Sequence, residues 1–197
     1  MKKLISWLPI LLFFAAAGSM FAADRLAMPA LTFAGLVLLG LCAVVSGIQV
    51  MVTRQAFFLP GGRDALRRRA ESYSGLAAQL WGVMFVLFGL IFIGIGLVGF
   101  RSPGQVFAYL EQALETSAGW GALLMIIGVF LSLYAATRIL AGGASTGSGL
   151  PWRDLGYRLF GGAALIVGLL LLALGYLLFA SPETLTGLIR EWVPFIP

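Results

Sequence analysis

The sequence predicts an all-α, polytopic membrane protein with five transmembrane helices, a tandem two-helix repeat (spans 2–3 and 4–5) and two short interfacial helices. Three observations predict it. The 197 residues are 60% hydrophobic and 11% charged, whereas soluble domains carry about 25% charge. Several apolar runs exceed the roughly 18 residues needed to cross a hydrocarbon core about 30 Å thick. Finally, a 24-residue stretch recurs 79 positions later without a gap: Leu80, Gly82, Gly89, Leu90, Gly96, Phe100, Ser102 and Pro103 return as Leu159, Gly161, Gly168, Leu169, Gly175, Phe179, Ser181 and Pro182.

The first element is Leu4 to Ala23, about 20 apolar residues behind Lys2 and Lys3. It has the composition of a signal peptide but also the length of a span, and we read it as a retained first helix. Asp24, Arg25 and Pro29 mark an external turn, and a second span runs from Pro29 to about Thr53. Residues 54–75 form the one substantial polar connection, with Pro60-Gly61-Gly62 as a turn and Arg63 to Glu71 as a short basic helix. Span three runs from about Leu76 to Phe100. Ser102-Pro103-Gly104-Gln105 then reads as a helix start, with serine as cap and proline in the first turn. It opens an amphipathic interfacial segment carrying Val106, Phe107, Leu110 and Leu114 on one side and Glu111 and Glu115 on another.

Span four covers about Gly119 to Leu140, and the Gly/Ser-rich stretch Gly142 to Gly149 is flexible by composition. Trp152, Arg153, Tyr157 and Arg158 mark a membrane interface before span five, about Leu159 to Ala180. Ser181-Pro182-Glu183 opens a second interfacial helix with Trp192 near its end. The chain thus divides into residues 1–25, an N-terminal span; 26–117, the first two-helix unit with its basic loop; and 118–197, the second unit with its C-terminal segment. Thr53-Arg54 and Thr137-Arg138 close the first helix of each unit at an offset of 84. Two units pointing the same way predict a pseudo-twofold axis along the membrane normal.

Chemistry-bearing residues are sparse. Histidine is absent, which removes the commonest general base and metal ligand, and the single cysteine, Cys42, forbids an intrachain disulfide. No ionisable residue falls well inside a span, where it would mark an ion pathway, and no nucleotide, zinc-protease, nucleophile-elbow or dithiol motif is present. No catalytic, cofactor or metal residues are therefore assigned, and none is expected. Ser46, Gln49 and Ser132 are the possible intramembrane polar contacts. Arg63, Arg67, Arg68 and Arg69 suit anionic lipid headgroups or an acidic partner, at about 1 kcal/mol per residue for lipid. Without interleaved aromatic stacking positions they do not suit nucleic acid.

The glycines give the strongest signal. Glycine costs roughly 1 kcal/mol relative to alanine in an aqueous helix, but in a bilayer small residues let backbones approach closely. Gly82, Gly89 and Gly96 stay near one face, drifting about 20° per heptad, as do Gly161, Gly168 and Gly175; Gly40, Gly47, Gly121 and Gly128 continue the habit. One reading is internal packing. The other gives at least one seam to a helix of another subunit.

The order Leu-rich helix, Phe-x-Ser-Pro (Phe100 to Pro103, Phe179 to Pro182), amphipathic stretch and Gly-rich helix ending in Thr137-Arg138 resembles the HdeD-type small repeat membrane proteins of bacteria. The likeness covers residues 80–140 and 159–185, and the odd number of spans departs from that family's even set. It implies a stress-associated membrane protein without catalysis. The residues themselves suggest a non-catalytic subunit or assembly factor of a larger membrane complex, with lipid and other membrane subunits as partners. The alternative is a small channel or transporter with its pore on the pseudo-twofold axis.

With five spans and the N-terminus inside a bacterial inner membrane, ten basic residues fall inside and three, Arg25, Arg101 and Arg190, outside. Cytoplasmic loops carry the excess of Lys and Arg. A reporter fused at Pro197 should therefore report the outer side and one inserted within 142–149 the cytoplasm. Both on one side would overturn the five-span topology.

Overall fold

The computed structural model describes residues 2–58, 71–141 and 151–183. Among these, α1 spans Lys2–Leu26, α2 Pro29–Thr53, α3 Leu76–Arg101, α4 Val106–Leu114, α5 Ser117–Ala141 and α6 Pro151–Ala180. Two short strands, β1 (Gln55–Phe58) and β2 (Glu71–Ser74), lie between α2 and α3. The stretches Trp7–Leu26, Pro29–Thr53, Leu76–Arg101, Ser117–Ala141 and Leu155–Ala180 are each long and apolar enough to cross a membrane. Helices suit that medium because each satisfies its own backbone hydrogen bonds.

Helix ends follow local chemistry. Helix α1 continues through Asp24 and Arg25, the expected turn, and stops at Ala27, whose φ of 51° is left-handed. The Met28 N–H then donates back to the Ala23 carbonyl at 3.1 Å, a Schellman-type stop, and Pro29 opens α2. The Thr116 hydroxyl accepts from the Gly119 N–H at 3.0 Å, capping α5. Ser102 does not start a helix, contrary to the sequence reading. Its N–H donates to Val98 and ends α3, and the Gln105 N–H returns to the Ser102 carbonyl in a turn. Helix α6 starts at Pro151, earlier than expected, because that proline can open a helix.

The connection after α2 is the main departure from an all-helical reading. Gln55–Phe58 and Glu71–Ser74 pair antiparallel, with Ala56 opposite Tyr73. Glu71, expected to end a basic helix, is in a strand; the rest of that expectation, Pro60 to Arg69, lies outside the described residues. So do the 142–149 stretch and the C-terminal helix beyond Glu183. Ala56 and Tyr73 pack on Ala77 and Ala78 at the start of α3, with Val50, Trp81 and Ala141 around them. This is a conventional buried cluster at one end of the molecule.

Substantial packing among the described elements runs in single file: α1 on α2, α2 on α3, α3 on α5, α5 on α6, with α4 lying against α5. A twofold relating the α2–α3 and α5–α6 pairs would bring α6 to α2 whenever it brings α3 to α5. No substantial α2–α6 packing is present. The expected pseudo-twofold axis is thus not found among the described helices, which pack in a single file.

Tyr73, 2% exposed, is the side chain that seats the strand pair. Tyr73→Ala should detach it, leaving the spans intact but raising trypsin cleavage after Arg54; unchanged cleavage would show that the pair is held otherwise.

Candidate functional site

Small residues dominate the buried positions of the described helices. On α3 they are Ala77, Ala78, Gly82, Gly89, Gly96 and Gly99; on α5 they are Gly121, Gly128, Ala135 and Thr137. Large apolar residues such as Phe14, Phe100 and Leu170 are more than half exposed. The sites most specific to this chain are therefore its two glycine seams.

In the first seam, a methyl carbon added at Gly40 would lie 2.6 Å from the Gly89 carbonyl oxygen, and one at Gly47 would lie 2.5 Å from that of Gly82. Gly96 lies against Phe33 and Val37. In the second, a methyl carbon added at Gly121 would lie 2.6 Å from the Gly175 carbonyl oxygen, one at Gly128 2.8 Å from that of Gly168, and one at Gly161 3.1 Å from that of Ala135. Backbone touches backbone along both seams. Both glycine rows are therefore filled from within the chain, which corrects the expectation that one of them receives a helix from outside.

The two seams correspond contact for contact. Gly82 meets Gly47 and Met51, while Gly161 meets Ala135 and Ile139; Gly89 meets Gly40 and Val44, while Gly168 meets Gly128 and Ser132. Gly96 meets Phe33 and Val37, while Gly175 meets Gly121 and Met125. Each step is 79 on the α3-to-α6 side and 88 on the α2-to-α5 side. The offset of 84 suggested by Thr-Arg is displaced by this register. Thr53 ends α2 and its hydroxyl donates to Gln49, whereas Thr137 is fully buried and donates to Tyr134 at 2.6 Å.

The polar residues singled out in the sequence do not converge. Ser132 lies in the second seam, its Oγ 2.5 Å from where a Gly168 methyl would be and without a conventional hydrogen bond. A larger residue at Gly168 would collide with that hydroxyl. Ser46 bonds Cys42 one turn away, and the Cys42 thiol donates to the Pro9 carbonyl at 3.1 Å, tying α1 to α2. Gln49 is near the end of α2, with interactions of its own. Arg63, Arg67, Arg68 and Arg69 lie outside the described residues. No group of three or more potential metal ligands is found among the described residues.

Sequence reasoning missed a cluster at the strand end of the row. Tyr73 packs on Trp81 at 5.7 Å between centroids, and Trp81 meets Tyr134 edge-on at 6.1 Å. Arg138 Nε donates to the Tyr134 hydroxyl at 2.9 Å, and its guanidinium sits 5.4 Å from the Tyr157 ring centroid. The signal was present as aromatic and basic residues near span ends, but their meeting depends on how α3, α5 and α6 line up. Between α3 and α5 runs an open groove of about 420 Å³, lined by Leu87, Leu90, Ile91, Met125, Ile126, Val129 and Phe130. Its lining is almost wholly apolar.

Comparisons with protein-family models, with curated proteins and with solved structures return no match.

Gly89→Leu and Gly168→Leu should both destabilise the chain by at least the about 1–3 kcal/mol typical of overpacking, because the obstacle is backbone. Gly94→Leu and Gly162→Leu, where an added carbon meets nothing within 4 Å, should be tolerated. Thermal unfolding in detergent checks this; equal effects at all four positions would remove the seams from the account.

Proposed function

We propose that the chain is a non-catalytic integral membrane subunit, or an assembly or stabilising factor, of a larger complex in a bacterial inner membrane. In this reading its N-terminus is cytoplasmic, its C-terminus is outside, and α2–α3 and α5–α6 are the two copies of a tandem repeat. The paired displacements of 79 and 88 support the repeat. The apolar residues Val106, Phe107, Leu110 and Leu114 of α4 support an interfacial position, and the basic asymmetry supports the orientation.

The observation that carries the reading is the single-file row. Within its two pairs backbone meets backbone, substantial packing among the described elements links only neighbours in the row, and the groove between α3 and α5 is lined by apolar side chains. Such a molecule presents surfaces, and surfaces act by binding. The arginines Arg63, Arg67, Arg68 and Arg69 extend the same logic to anionic lipid headgroups. The HdeD-type resemblance is consistent with a membrane role that involves no catalysis. No observation favours the channel alternative: Ser46 bonds Cys42 and Ser132 lies in the second glycine seam.

The test is gentle extraction followed by quantitative mass spectrometry of what co-purifies. Larger membrane proteins at fixed stoichiometry are expected; a lone chain or a homo-oligomer would overturn the reading.

A further inference from the structure

The joints along the row are of two kinds. Within α2–α3, a methyl carbon added at Gly40, Gly47, Gly82, Gly89 or Gly96 would collide with backbone of the facing helix, and the same holds at Gly121, Gly128, Gly168 and Gly175 within α5–α6. Between α3 and α5 the joint is different. No described glycine of either helix has the other among its nearest neighbours. Rings make the contact instead: Phe88 meets Phe130 edge-on at 6.3 Å, and Trp81 meets Tyr134 edge-on at 6.1 Å.

The rings and the groove lie on different sides of that joint. Trp81 and Phe88 are seven residues apart and so share one face of α3. At about 100° per residue, Ile91, Leu87 and Leu90 all lie to one side of Phe88, by about 60°, 100° and 160°. Those three line the open groove with Met125, Ile126, Val129 and Phe130 of α5. The two sealed pairs therefore meet along a line of rings and diverge to one side of it.

We propose that α2–α3 and α5–α6 are two rigid bodies that pivot about the line of Trp81–Tyr134 and Phe88–Phe130, opening and closing the groove between α3 and α5. The physical reason is the solvent. Widening a joint made of large side chains exchanges contact with leucine and phenylalanine for contact with lipid tails, which are as apolar as leucine, so the exchange is close to neutral. Parting a glycine seam loses backbone contacts at short range, and dispersion falls steeply with such gaps. Met125, unbranched and adaptable, lets the groove wall follow the movement. Helix α1 travels with the first body, tied to α2 by Ser19 to the Leu31 carbonyl and Cys42 to that of Pro9, and α4 lies against α5 of the second. Small displacements of packed helices of this sort are a common route between two states of a protein. The pivot belongs to the fold and does not depend on the subunit reading.

The test is distance measurement by pulsed electron paramagnetic resonance between pairs of spin labels on the full chain in lipid bilayers, with Cys42→Ser removing the native thiol while keeping a donor for Pro9. Labels at Ile48 and Leu97, and at Leu140 and Leu170, all exposed positions, report within each body; Ile48 with Leu170 reports between the two. Each within-body distribution should be a single narrow peak, and the between-body distribution should be broader or double-peaked. Val129→Trp, which wedges the groove, should narrow the between-body distribution and leave the within-body ones unchanged. A between-body distribution as narrow as the others would overturn the proposal, as would broad distributions inside either body. A broad between-body distribution that Val129→Trp leaves untouched would place the motion elsewhere and overturn it too.

Discussion

Backbone-to-backbone contact between glycines is the constraint on which the rest of the structure depends. In water, helices associate because burying apolar area is favourable; in lipid the tails are as apolar as leucine, and that drive disappears. What remains is dispersion, which grows as atoms approach, and the weak Cα–H···O contacts that close approach permits. Residues without side chains bring helices closest. Hence the buried positions of this chain are mostly Gly and Ala, while Leu, Ile and Phe point outward. The usual rule of large residues inside is inverted because the solvent is inverted.

The two seams share a register but not their ends. At the strand end of the first pair, Ser46, Val50 and Ala78 stand where the second pair has Tyr134, Arg138 and Tyr157. Ala78 must be small because the strand pair sits on it, with Ala56 and Tyr73 closing the cluster. The second pair has no such cover among the described residues, and there the cation sits between two tyrosine rings. An amphipathic Arg–Tyr arrangement suits the depth at which a helix leaves hydrocarbon for headgroups. One framework has thus received two finishes, a small buried cluster and a cationic aromatic sandwich, joined through Trp81.

Much of the fold was legible in the sequence. Pro29 and Thr53 bound α2 as read, because a proline opening a helix and a polar residue leaving the bilayer are local signals. Glycines spaced by seven gave the seam faces for the same reason. Their partners were not legible: that both rows close on helices of this chain is a property of packing. The Thr-Arg pair misled because matching residues at two helix ends need not be matching positions, and backbone contact fixes the register at 88. The strands were missed because Gln55–Phe58 and Glu71–Ser74 are four residues each, show no clear alternation, and are separated by 12 residues and not by a tight turn. Ala77 and Ala78 stabilise them, and that is tertiary information.

The first helix shows how the row acquires a direction. It does not join α2 through a glycine seam of the kind that holds the other pairs. Gly35 meets Met20 and the Ala16 carbonyl, and two side-chain hydrogen bonds add to this: Ser19 to the Leu31 carbonyl at 2.7 Å and Cys42 to that of Pro9. Interhelical bonds of this kind are each worth about 0.6 kcal/mol in a membrane, enough to help fix orientation without dominating the association. A row made only of like units would offer complementary faces at both ends, and heterologous contacts that do not close run on into filaments. Here α1 meets α2 through Met20 and two side-chain hydrogen bonds instead, so the first interface of the row is not a copy of the glycine-sealed ones.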